Sequence, residues 1–214
     1  APEFQKPVLE ALRQPLESGE VVINRSAGTA KFPAKFQLVL AANPCPCGNA
    51  VGTAKACRCS EQLKSKYLAK LSGPLLDRVD IRLQIQAVSP AQMAIARSTA
   101  QNQNDRIRSS AYLRDRVANA RQRAEERLAS TPWLTNSQVP GSYLRKHFPL
   151  SASVGERLEK ALDQGRISMR GYDRCLRVAW SVADLAGRDS PNEFDIAKAI
   201  YLRGSDDLVG VNHG

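Results

Sequence analysis

Four of the five cysteines of this chain stand in one short stretch: Cys45 and Cys47, then nine residues, then Cys57 and Cys59. Soft thiolates gathered in one loop suit a tetrahedral four-cysteine zinc site. An iron–sulfur or redox role and a set of unliganded thiols are the alternatives, because C-x-C is not the commoner C-x₂₋₄-C spacing and Pro46 stiffens one pair. An odd cysteine total without an export signal argues against a disulfide framework. Cys175, beside Leu176 and Val178, is expected in the core. Three further polar groups stand at marked places in the pattern. Asn43 closes an apolar run just before Pro44, Arg78 sits in Gly-Pro-Leu-Leu-Asp-Arg-Val-Asp, and Arg170 opens a helical stretch on which Arg174 and Arg177 follow. The last two share its face and are expected to be a solvated basic stripe.

The elements that must position these groups can be sketched from periodicity. Residues 6–16 have a helical pattern stopped by Ser18-Gly19. Residues 21–24 and 30–32 suit a β-hairpin with Gly28 in its turn, Arg25 near the tip and Lys31 beyond it. Residues 36–42 are almost continuously apolar, as in a strand buried on both faces of a parallel sheet. Residues 80–86 alternate like a half-exposed strand, and between the two lies a helix at residues 61–71 capped by Ser60. After Pro90 no strand is convincing. Residues 91–129 are helical and carry Arg106, Arg108, Arg114, Arg116, Arg121, Arg123 and Arg127. A loop at 131–139 leads to helices at 153–163, 168–186 and 191–202, the last with Ser190 as N-cap and Pro191 at its first position. The fold class is therefore an α/β fragment, the end of a sheet with a hairpin, followed by a mainly α-helical part.

Composition narrows the partners. The formal net charge is +10 over 214 residues, which favours polyanions because each cation set against a phosphate releases a counterion. The chain is 43% hydrophobic but only 6% aromatic, so an aliphatic, helix-rich core is expected. No apolar run is long enough to span a membrane, and the first twenty residues are amphipathic rather than signal-like, which places the expected location in the cytoplasm.

Three segments in this order resemble the AAA+ ATPases related to the magnesium chelatase motor subunit and the MCM helicases. They are LVLAANPCPCG (38–48), LSGPLLDRVDI (71–81) and ISMRGYDRCLRVAWSVADL (167–185). In detail the chain looks like the bacterial ComM-type, magnesium-chelatase-like proteins over residues 1–203, departing at Cys175 and Trp180, where isoleucine and arginine are usual.

The resemblance implies roles residue by residue. Asn43 matches sensor 1, an amide that orients water against a γ-phosphate; its alternative is an Asn-Pro turn closing a strand. Arg78 matches the arginine finger that reaches a neighbouring subunit's phosphate, its alternative being a helix-end arginine paired with Asp77 or Asp80. Arg170 matches sensor 2. Arg25 and Lys31 lie on the hairpin that faces the pore in such rings and tracks a nucleic-acid backbone. The expected organisation is the rear of an AAA+ core at residues 1–88, a helical insertion at 89–140, a helical lid at 141–203 and a tail at 204–214. The first four residues, Ala-Pro-Glu-Phe, match the segment just after the Walker B acids. The glycine- and lysine-bearing stretch 48–55 lacks the spacing of a phosphate-binding loop. ATP and Mg²⁺ are thus expected of a complete parent, a ring that acts on DNA without sequence preference, and the chain by itself is expected to be inactive. The rival expectations are a passive basic DNA-binding module with a zinc-stabilised loop, and a chelatase-type motor that remodels a protein.

Overall fold

The computed structural model describes residues 1–26, 28–50, 57–85, 88–99 and 109–204. They form two compact units, one built on Ala1–Val79 and the other on residues from Val88 onward, into which Asp80–Leu83 also pack.

The first unit opens with two short helices, α1 (Lys6–Ala11) and α2 (Arg13–Ser18), where one continuous helix is expected. Pro15 explains the break: it lacks an N–H, and its ring collides with the carbonyl of Ala11. Gly19 then ends α2 in the left-handed region at φ 70°, where a side chain would be strained. A hairpin follows, β1 (Glu20–Arg25) paired antiparallel with β2 (Gly28–Pro33), in a register that sets Val22 opposite Lys31 and Arg25 opposite Gly28. Its base is tied by the Ala34 N–H donating to the Gly19 carbonyl at 2.7 Å. Ser60 caps α3 (Glu61–Leu68), its hydroxyl accepting from the Leu63 N–H at 3.2 Å. Ser72 caps the single turn α4 (Gly73–Leu76) in the same way, and Leu75 of that turn is fully buried.

Two expected strands are not strands. The sheet found among the described residues has two strands, both from the hairpin. Residues 36–42 and 80–85 make no ladder, and Gln86 lies outside the described residues. Val39 is 82% exposed, the reverse of burial on both faces. An apolar run states what a segment would bury, whereas a strand exists only with a neighbour's backbone beside it. The class, helix-rich with a small β-element, stands; the parallel sheet does not.

The second unit is helical: α5 (Pro90–Thr99), α6 (Ser110–Leu128), α7 (Gly141–His147), α8 (Ala152–Asp163), α9 (Met169–Leu185) and α10 (Glu193–Arg203). Arg106 and Arg108 lie outside the described residues. The short α7, entered from Pro140, is not foreseen by the sequence reading. At its centre is α9, whose Tyr172, Cys175, Leu176, Ala179 and Ala183 recur at helical spacing and are all buried. Against this stripe pack Leu128, Leu144, Leu158 and Ile196, each about 1.5–3 kcal/mol of apolar burial. Cys175 is core, as its neighbours imply. The start of α10 differs from expectation. Asn192, not Ser190, is the N-cap, and it forms a capping box with Asp195, each side chain accepting the other's backbone N–H. Two orphan amides are satisfied at once there. Asp195 is fully buried and also accepts from the Nε and Nη2 of Arg188. No helix among the described residues is long and apolar enough to cross a membrane.

Candidate metal centre and nucleotide-site residues

Immediately after Asn43 the chain folds into a tight loop. The Gly48 N–H donates to the Cys45 carbonyl at 3.0 Å, and Gly48 takes φ 76° to close the turn. The turn carries Cys45 inward, where it is fully buried, and leaves Cys47 exposed. From the other side come Cys57 and Cys59, the latter directly ahead of the Ser60 cap of α3. The four sulfurs meet: Cys45 Sγ lies 3.3 Å from Cys47 Sγ and 3.7 Å from Cys57 Sγ, Cys47 and Cys57 are 3.8 Å apart, and all four lie within 4.8 Å of one another. All remain free thiols, far from the roughly 2.05 Å of a disulfide.

The crowding sorts their acidities. The backbone N–H of Asn49, helped by the thiols of Cys45 and Cys59, draws Cys47 down to about 6. Cys59, although the Cys47 backbone N–H pulls the other way, is pushed up to about 11 by the Cys47 side chain, by desolvation and by the Cys47 charge. Cys57 is raised as well; burial and the neighbouring thiols outweigh a hydrogen bond from the Cys59 backbone. One thiolate forms readily and the others resist adding charge beside it, which is the electrostatic setting that a cation relieves.

Asn43 stands at the lip of this loop, exposed. A Cβ placed on Gly48 would lie 3.8 Å from the Asn43 Nδ2, so the returning turn passes beside the amide with room for no more than a methyl between them. Arg78 follows α4 in the same unit. Its Nη1 donates to the Pro74 carbonyl at 2.7 Å and its Nη2 to Glu17 Oε2, while the side chain is only 8% exposed. The ion pair therefore reaches back to α2 rather than along the chain, and Asp80 is taken by Arg174 instead.

In the second unit Arg170 is the second residue of α9, behind the Ser168 cap, and is exposed. The expected solvated stripe beyond it is not found. Arg174 bonds Asp80 through Nη1, and the Arg177 Nε donates to the Val139 carbonyl at 2.7 Å, with burial lowering its pKa. Both are clamps of the fold, because a guanidinium has enough donors to tie distant segments to a helix. Another arginine goes unnoticed in the sequence. Arg127 of α6 forms a two-pronged pair with Asp184 of α9 at 2.6 and 2.8 Å, bonds Asn136 Oδ1 at 2.8 Å, and lies 4.3 Å over the Trp180 ring. Its partner is 57 positions away, a distance at which no spacing rule applies.

The hairpin separates its two cations. Residues opposite each other share a face of an antiparallel pair, so Lys31 lies with Val22, Asn24 and Thr29, and Arg25 with Val21, Ile23 and Phe32. A 2.9 Å bond from the Thr29 hydroxyl to Asn24 Oδ1 lies on the Lys31 face. Neither strand has a buried residue.

Comparison with known proteins gives two family models side by side. The model described as magnesium chelatase, subunit ChlI, matches residues 1–93, and that of the ChlI C-terminal part matches residues 107–203. The chain is similar to an uncharacterized protein of Mycobacterium tuberculosis, 46% identical over 201 residues, which are 94% of this chain and 38% of that protein. It is 37% identical over 202 residues to the competence protein ComM of Haemophilus influenzae, covering 94% of this chain and 37% of ComM. To the uncharacterized protein YifB of Escherichia coli it is 32% identical over 209 residues, 97% of this chain and 38% of YifB. The chain thus spans less than two fifths of the length of these relatives.

Proposed function

The chain belongs to the magnesium-chelatase-like, ComM-type family, and from that membership we propose that it is the sensor and lid part of a ring-forming, ATP-driven motor that moves DNA in the cytoplasm. Asn43, Arg78 and Arg170 are then the groups offered to nucleotide, each a donor suited to phosphate oxygens. Asn43 orients the attacking water, Arg78 serves the neighbouring subunit, and Arg170 steadies the phosphates from the lid helix. The phosphate-binding loop and the acids that hold Mg²⁺ fall to the rest of the polypeptide. Zinc, the metal suited to four thiolates, is assigned to the cysteine cluster in a structural part.

The observation that carries the DNA half of the proposal is the hairpin. A two-stranded ribbon with no fully buried residue, only Val21 and Val22 near its base being half-buried, has little packing reason to extend as far as Arg25, since such hairpins are marginal alone. With Arg25 and Lys31 on opposite faces, it suits a backbone that passes on either side, as in a channel. Contacts of that kind read phosphate and not sequence.

ATP hydrolysis by the complete polypeptide, measured with and without DNA, is the test. Stimulation by unrelated DNAs is expected. Hydrolysis indifferent to DNA would point to the protein-remodelling, chelatase-type alternative, and no hydrolysis at all would leave a passive binding module. The 214-residue chain should show no heat of ATP binding in calorimetry with Mg²⁺, because a backbone cradle for the phosphates is needed for affinity. Micromolar binding there would overturn the division of labour.

DNA binding by the same chain should weaken steeply between about 50 and 200 mM salt, in proportion to the phosphates neutralised. In fluorescence anisotropy, Arg25→Ala with Lys31→Ala should lower affinity equally for unrelated duplexes and single strands and flatten the salt slope by about 2. A slope unchanged by the double substitution would remove the hairpin from the interface.

A further inference from the structure

We infer that a single zinc ion held by Cys45, Cys47, Cys57 and Cys59 is the clamp that fixes the Asn43 side chain, so that metal occupancy sets catalytic turnover while leaving nucleotide binding alone. The inference rests on Asn43 acting as a phosphate sensor.

The spacing of the sulfurs selects one ion over a cluster. Around a tetrahedral zinc at about 2.3 Å the ligand sulfurs lie about 3.8 Å from one another. The observed separations of 3.3, 3.7 and 3.8 Å, with all four atoms inside 4.8 Å, fit one small ion at their centre. An iron–sulfur cluster shares its four thiolates among two or more irons and spreads them farther. Four protein ligands also close the coordination shell, which marks a structural centre and not one that activates water.

The site joins two separate pieces of chain. One is the turn from Pro44 to Gly48, which brings Gly48 beside Asn43, close enough that a Cβ added to Gly48 would meet the amide Nδ2 at 3.8 Å. The other leads through Cys59 into the Ser60-capped α3. That helix is well anchored: Tyr67, 5% exposed, donates its hydroxyl to Glu3 Oε1 at 2.7 Å, and the nearby Lys70 Nζ donates to the Pro2 carbonyl at 2.8 Å. Asn43 itself has an exposed side chain and stands only two residues ahead of Cys45. An ion bridging the two pieces transfers the rigidity of α3 to the turn, and the turn runs directly on from Asn43 and returns beside its amide at Gly48. Without it, the turn is left with weak thiol contacts.

The experiment uses the complete polypeptide purified without added metal. One zinc per chain is expected. Four thiols should be protected from a thiol reagent until a chelator is added, and cobalt exchanged into the site should give the spectrum of a tetrahedral tetrathiolate. Retention should weaken as pH falls, because protons compete for the thiolates. Four thiols that react freely with no metal present overturn the proposal, and a single iron in the site overturns the choice of zinc.

For the link to Asn43, Cys47→Ser should lose the metal and lower kcat about 10–100-fold with KM for ATP unchanged, and Cys47→His, which restores a ligand, should recover both. Asn43→Ala should lower kcat by about 100-fold, and adding Cys47→Ser to it should cost little more, as expected of two changes acting through one group. Additive losses overturn the clamp. Normal turnover in Asn43→Ala overturns the sensor assignment and the clamp with it, while the metal analysis still decides the zinc.

Discussion

Replacing Arg78 by alanine in the complete polypeptide is expected to lower ATP turnover about a thousandfold or more while ATP binding persists. A finger guanidinium acts on charge that spreads over the transferring phosphoryl group, and such groups contribute about 10³–10⁵ in rate. In the structure the guanidinium is folded back on its own unit, bonded to Glu17 and to the Pro74 carbonyl. To serve a neighbour it must release Glu17, whose half-exposed carboxylate can pass to water when the pair opens. This gives a control. Glu17→Gln removes the competitor for the guanidinium and should leave turnover equal or higher, whereas a purely structural pair would make both variants lose thermal stability and activity together. Mixing Arg78→Ala subunits with subunits unable to bind ATP should restore part of the turnover, because each defect lies on a different side of the shared site. Full activity in Arg78→Ala alone would return this residue to the role of a helix-end tie.

The largest stability effect should come from Asp184→Ala. Asp184 is buried, its side chain 2% exposed, and it faces an Arg127 side chain only 11% exposed. Its removal strands a guanidinium in the interior and deprives the Asn136 Nδ2 of a 2.8 Å bond, leaving it the 3.1 Å contact with Ser181. Breaking one side of a buried pair costs about 3–5 kcal/mol, which in a domain near this size lowers Tm by upwards of roughly 12 °C. Thermal unfolding followed by far-ultraviolet circular dichroism on the 214-residue chain would measure it. Replacing both partners, as Arg127→Met with Asp184→Leu, should recover only part of the loss, since no charge is left unpaired but the buried Asn136 Oδ1 loses its donor. A shift of only a degree or two in Asp184→Ala would mean that water already serves the pair.

Several features of this molecule are legible in its residues because the signal is local. Ser60 and Ser168 announce the helices they cap, Gly19 the end of α2, and the 3.6-residue recurrence of Tyr172, Leu176, Ala179 and Ala183 the buried face of α9. The cysteine cluster is legible too, since two C-x-C pairs in one loop have few ways to stay apart. What escapes is whatever depends on a partner far along the chain. Arg174 and Arg177 share a helical face with Arg170 in the sequence, yet Asp80 and the Val139 carbonyl turn both into internal ties. Glu17 is 61 positions from Arg78. The short α7 begins after proline with no side-chain cap, so its start carries no mark. The break in the first helix was legible and depends only on giving Pro15 its full weight.

The bare apolar runs that form no ladder bear on how the chain behaves in a crowded solution. Val39 and Ile85 are 82% and 79% exposed, and Leu83 is 61% exposed. Greasy segments of this kind, outside any ladder, invite copies to zip together edge to edge. What holds copies apart is the mutual repulsion of a net charge of +10, and that repulsion has a reach of only about 8 Å in physiological salt. Added salt therefore shortens the range over which copies repel one another and lets one molecule settle against another.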